Sequence, residues 1–150
     1  VYAIDRIVVH ATLQHVFDVA ADVERWPAFL PHYRWVRVLQ CDATSRTVEM
    51  AAWRPFGFVR YPTWWVSEMR LEPPALVRYR HIRGITRGMD VAWQLAQDGE
   101  HVRVTVVHDW PGPGWPLVGH LAATCVIGPV FVHGIARRTL AGVKRQAEAV

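Results

Sequence analysis

From Tyr33 to Trp110 the chain alternates. Residues suited to a pleated, half-buried surface recur at every second position through six successive segments. The segments read YRWVRVLQC, TVEMAAWRP, FVRYPTWWVSEMRL, ALVRYRHIRG, MDVAWQLAQ and EHVRVTVVHDW. Turn signals separate them: Pro55 and Gly57, Pro73-Pro74, Gly84 to Gly88, and the hairpin pair Asp98-Gly99. Strands that follow one another through tight turns pair antiparallel, and a sheet with one apolar face needs a cover.

The flanks supply that cover. Residues 2 to 10, YAIDRIVVH, predict a first strand. Thr12 is placed to cap a helix through LQHVFDVAAD, with Val16, Phe17 and Ala20 on one face. A second short helical piece, DVERWPAFL, is broken by Pro27 and Pro31. After the loop PGPGWP the period changes. Leu121, Cys125, Gly128, Val132, Ile135, Thr139 and Val143 fall at helical spacing, with Pro129 at the start of the last helix or at a kink. The expected fold is α+β and a single domain over residues 1–150. A curved seven-stranded antiparallel sheet wraps a long C-terminal helix, with two short helices after strand one.

Composition narrows the function. The net charge of +4 is spread over dispersed arginines without a basic run, which argues against nucleic acid as a partner. Cys41 and Cys125 make no metal or redox motif, as expected of reduced thiols in a cytoplasmic protein. Trp110 to Ala136 contains no acidic or basic residue. Pro111, Pro113, Pro116 and Pro129, with His120 and His133, oppose one spanning helix there, so peripheral membrane contact is the membrane reading left open. Eight tryptophans in 150 residues are many. Each alone reads as readily as core filler; together they suit the wall of a ligand cavity.

Strand parity assigns faces. Glu68 and Arg70 should face water, with Trp64 and Val66. Thr63, Trp65, Ser67, Met69 and Leu71 then point inward. By the same rule Val77, Tyr79, His81 and Arg83 point in, as do Met89, Val91, Trp93 and Leu95. In the last strand Val102, Val104, Val106, His108 and Trp110 point in. The parity of the strand carrying Trp53 is ambiguous. An inward set that mixes aromatics with Ser67, Tyr79, His81, Arg83 and His108 fits a small-molecule pocket better than a dry core.

The run IVVHATLQHVFDVAADVERWPAFLPHYRWVRVL resembles the opening of the polyketide cyclase/dehydrase (aromatase/cyclase) group of the START-like, or SRPBCC, superfamily. The matching features are Val-Phe-Asp on the first helix, then Asp22, Trp26, Pro27 and Tyr33. TWWVSEM and MDVAWQL are similar to the aromatase/cyclase strands, with Trp65, Met89 and Trp93 at cavity positions. The DVERWPAFLP run is also similar to coenzyme Q-binding members. The resemblance implies a helix-grip (START/Bet v-like) fold and a hydrophobic ligand: a polyketide, or a quinone or other lipid. An acyl carrier protein is a further implied partner. It implies an inward arginine on the fourth strand, where this chain has Met69, and another on the fifth, where it has His81 with Arg83 one inward step on. The apolar segment 117–128 is extra, and reads as a lid, a dimer surface or a membrane-touching element.

The reaction so implied is aldol closure of a flexible poly-β-ketone followed by loss of water. His108 is the first candidate acid/base and His81 the second. Tyr33, Tyr79 or Arg83 would donate to the enolate oxygen. Trp26, Trp53, Trp65, Trp93 and Trp110, with Ser67, Met69 and Met89, would shape the cavity. The alternative is a non-enzymatic carrier of a hydrophobic ligand. No glycine-rich phosphate loop, zinc spacing or nucleophile elbow occurs, so the sequence implies no cofactor and no metal.

Overall fold

The computed structural model describes residues 2–56, 59–84, 86–111 and 133–149. Within them lie β1 (Tyr2–Val9), α1 (Leu13–Ala21), a 3-10 turn (Val23–Arg25) and α2 (Trp26–Phe29). Then come β2 (Tyr33–Cys41), β3 (Ser45–Phe56), β4 (Val59–Glu72), β5 (Leu76–Gly84), β6 (Asp90–Asp98) and β7 (His101–Asp109). The last helix, α3, spans His133–Glu148. The expected helix-grip fold is present. The apolar segment 117–128, the prolines Pro113, Pro116 and Pro129, and the earlier part of the last helical pattern lie outside the described residues. No described helix is long and apolar enough to cross a membrane.

The seven strands make one antiparallel sheet in the order β1-β7-β6-β5-β4-β3-β2. Only β1 departs from simple succession: it pairs with β7, Ala3 opposite His108 and Val9 opposite Val102. The Thr12 hydroxyl accepts the His15 N–H at 3.2 Å and caps α1. That helix buries Val16, Phe17, Ala20 and Ala21. Pro27 stands in the first turn of α2, where no donor is needed. The helix α3 buries Ile135, Ala136, Thr139, Leu140 and Val143, and turns Arg137, Arg138 and Arg145 outward. Its end is tied to β1: the Lys144 ammonium donates to the Val8 carbonyl at 2.6 Å, and Glu148 accepts the His10 N–H at 2.8 Å.

Side-chain rows run across the inner face. Met69, Tyr79, Val91, His108 and Ala3 are successive partners across β4, β5, β6, β7 and β1. Strand parity holds along β4, β6 and β7, but not to the end of β5. There Ser67 pairs with His81 while Val66 pairs with Arg83, so Ile82 is an extra residue. A bulge of one residue reverses the facing of everything beyond it. Arg83, expected inward, is exposed on the outer face beside Val66.

Candidate functional site

A cavity lies between the inner face of the sheet and α3. Eight of the residues expected there line it: Trp26, Tyr33, Trp65, Tyr79, His81, Met89, Trp93 and His108. The sheet also supplies Met50, Val91 and Val106, and α3 supplies Ile135, Ala136 and Thr139. No lysine, arginine or carboxylate is among these described lining residues. The aromatic rings close on one another. Trp26 meets Tyr33 edge-on at 5.2 Å between ring centres, Trp93 at 5.7 Å, and Tyr33 meets Trp65 at 6.1 Å. About 60 Å³ of free volume remains. That admits a few waters, not a multi-ring ligand.

The polar groups have distinct settings. His81 lies parallel to Trp65, with 5.6 Å between centres and 2° between planes. Its Nδ1 is 2.6 Å from the buried Thr86 hydroxyl, which fixes the ring's orientation. Tyr79 is buried, and its hydroxyl has no hydrogen-bond partner among the described residues. Burial pushes the Tyr79 phenol well above its usual range; Tyr33 adds to this and Arg46 opposes it. The group is therefore a neutral O–H, able to donate. Tyr79 and His108 share a row with Val91 between them, so their backbones stand roughly 10 Å apart, two strand spacings.

Other expected site residues lie elsewhere. Ser67 is fully buried opposite His81, and Met69 is fully buried opposite Tyr79; both point inward but neither lines the cavity. Trp110 is fully buried, and its indole N–H donates to the Arg87 carbonyl at 3.1 Å, which holds the turn between β5 and β6. Trp53 is a correction. It follows Ala52 of the inner face and so turns away from the cavity, into a separate groove beside α3. Arg83 is the other, for the bulge already described. His32 was not anticipated. It is buried, stacks edge-on against Tyr33 at 4.8 Å, and its Nε2 is 3.0 Å from the Thr139 hydroxyl. A threonine on the apolar face of a helix is the signal that could have pointed to that pair. Among the described residues no group of three or more histidine, cysteine or acidic side chains is placed to hold a metal ion.

The sequence profile of the polyketide cyclase / dehydrase and lipid transport family matches residues 9–124. The chain belongs to that family. No curated protein matches it by sequence. Among solved structures it is similar to TTHA0849 from Thermus thermophilus, with a TM-score of 0.84 at 16% identity, covering 99% of this chain and 98% of that one. It is similar to the Zhui aromatase/cyclase from Streptomyces sp. R1128, with a TM-score of 0.84 at 19% identity, covering 99% and 93%. It is also similar to a STAR-related lipid transfer protein from Xanthomonas axonopodis, with a TM-score of 0.64 at 17% identity, covering 97% and 85%. At these identities the likeness establishes the fold. The family membership adds that cyclisation and lipid carriage are both chemistries this scaffold serves.

Proposed function

We propose that the cavity binds a polyketide-type ligand and catalyses aldol cyclisation with dehydration. The observation that carries this reading is the convergence of two imidazoles, His81 and His108, and one neutral phenol, Tyr79, on one apolar cavity. A methylene between two carbonyls is acidic enough for imidazole to deprotonate. The Tyr79 O–H donates to the enolate oxygen as charge develops there. The enolate carbon attacks a second carbonyl, a C–C bond forms, and the new alkoxide takes a proton. Loss of the neighbouring C–H proton to a histidine and of the hydroxyl as water gives the ring double bond. Trp26, Trp65 and Trp93 act by holding the chain folded, so that the reacting carbons meet.

The test uses a synthetic poly-β-ketone thioester with chromatographic detection of ring products. His108→Ala should lower turnover by about 10²- to 10⁴-fold while ligand binding persists. Equal turnover in the wild type and the variant would remove His108 from the chemistry.

One observation favours a second reading, carriage of a quinone or other lipid. Met69 is fully buried at the fourth-strand position where an aromatase/cyclase is expected to hold arginine, and Arg83 faces outward. The described wall of the cavity thus offers no fixed cation. Native mass spectrometry of the purified protein separates the two readings: a co-purified quinone or lipid supports the carrier.

A further inference from the structure

The groove that takes Trp53 has a composition unlike the cavity's. Its walls are Trp53, Arg60 on β4, Arg138, Ala141 and Arg145 on α3, and His32. Its free volume is about 460 Å³, far larger than the cavity's. The Arg34 and Arg60 guanidinium carbons sit 4.8 and 4.9 Å from the centre of the Trp53 ring. Such contacts hold long side chains in place without neutralising them. The arginines Arg37, Arg78, Arg80, Arg103 and Arg137 all have a carboxylate within 4.0 Å. Arg34, Arg60, Arg138 and Arg145 have none among the described residues. Three of these uncompensated guanidinium groups, Arg60, Arg138 and Arg145, line the groove and repel each other, and an anion relieves that repulsion.

The groove and the cavity are linked by one hydrogen-bonded pair of lining side chains. His32 lines the groove, Thr139 lines the cavity, and the two are hydrogen-bonded at 3.0 Å. The cavity is apolar and without a cation among its described walls, while the groove is cationic and has one aromatic ring. An amphiphile matches the two together. Guanidinium forks pair two oxygens at once, which suits a phosphate ester better than a single carboxylate when three forks face one space.

We propose that the groove formed by Trp53, Arg60, Arg138 and Arg145 holds the phosphate ester head of a ligand whose apolar part occupies the cavity. The proposal rests on the reading of the cavity as an apolar ligand site, and it adds the chemical class of the ligand's other end. His32 and Thr139 then form the gate over which the ligand passes.

The test measures binding of decyl phosphate, decanol and inorganic phosphate by titration calorimetry at low salt. The wild type should bind decyl phosphate about 10- to 100-fold more tightly than decanol. The advantage should shrink as salt is raised, since the groove is open to solvent. Arg138→Gln with Arg145→Gln, both on the exposed side of α3, should erase it and leave decanol binding unchanged. Arg70→Gln with Arg78→Gln removes the same charge from the outer sheet face and should leave the advantage intact. The proposal is overturned if the wild type binds both alkyl ligands equally, or if the Arg138/Arg145 variant keeps the preference. If decanol does not bind at all, the apolar cavity reading fails on its own account. Inorganic phosphate binding that is lost in the Arg138/Arg145 variant would in that case make the groove a free-phosphate site and overturn the amphiphile.

Discussion

Tyr79 is the residue whose setting is most informative. A buried hydroxyl without a partner destabilises the fold, by about 1–3 kcal/mol on general grounds. Tyr79 lines the cavity, so a ligand there is placed to complete it. Tyr79→Phe keeps the ring and deletes the hydroxyl. Thermal unfolding should show stability unchanged or raised by up to about 1 kcal/mol, while turnover falls roughly 10²-fold for want of the donor. A structural role would move stability down and leave turnover alone. The same phenol sets an alkaline limit. Its folded-state pKa lies above the ordinary value of 10.0, so its contribution is complete below that pH and is lost as pH rises through the folded value. The wild type should lose stability above about pH 10, and Tyr79→Phe should lose less. Parity found Tyr79 and His81 from sequence because alternation is strict up to that point. It failed two residues later, at Arg83. The bulge at Ile82 lies between, and just beyond it stands Gly84, with φ of +98°, where a Cβ would overlap the Trp64 carbonyl and the Trp65 Cα. The glycine is visible in the sequence, but the close approach of β4 that requires it is not. Nor is the bulge at Ile82, since HIRG alternates as well as any strand.

At the scale of elements, the faces of β4, β6 and β7 were legible, while the face of β3 and the partners across the sheet were not. Trp53 shows the difference. It lies in a strand with apolar residues at consecutive positions, Met50, Ala51 and Ala52, all buried, so alternation does not say which parity faces the core. The register does: Met50 opposes Trp65 and Ala52 opposes Thr63, and Trp53 falls on the other side. The helix α3 was legible as amphipathic. That Ile135, Ala136 and Thr139 would close the cavity depended on which turn of the helix lies over which row of the sheet, and this is set by packing at its far end. Leu30, fully buried after α2, sits against Gly142, where a Cβ would overlap its Cδ2. Gly142→Ala should therefore push α3 away from Leu30 and destabilise by about 1–3 kcal/mol, although alanine is the better helix former by about 1 kcal/mol. Chemical denaturation would measure this. A stabilised variant would mean that the helix is not held to α2 at that point.

At the scale of the molecule, the sheet, α3 and the aromatic cluster make a container that is nearly shut. Small-molecule sites run from about 300 Å³ upward, against the 60 Å³ that stays open here. Ligand entry must then part the rings of Trp26, Tyr33, Trp65 and Trp93, all buried and in mutual contact. Such rings, fixed at defined angles, give a strong near-ultraviolet circular dichroism signal. A ligand that occupies the cavity should change that signal and leave the far-ultraviolet spectrum unaltered, since the sheet need not open. At 100 times its dissociation constant it should also stabilise the fold by about 2.7 kcal/mol. A ligand confined to the arginine-lined groove would stabilise by the same rule but leave the near-ultraviolet signal of these four rings as it was, because none of them lines the groove, where the ring is Trp53. The spectrum thus reports where a ligand sits. Decanol should change it, inorganic phosphate should not, and decyl phosphate should change it as decanol does. If decanol bound without altering the near-ultraviolet signal, the aromatic cluster would be a packed core and the ligand site would lie elsewhere.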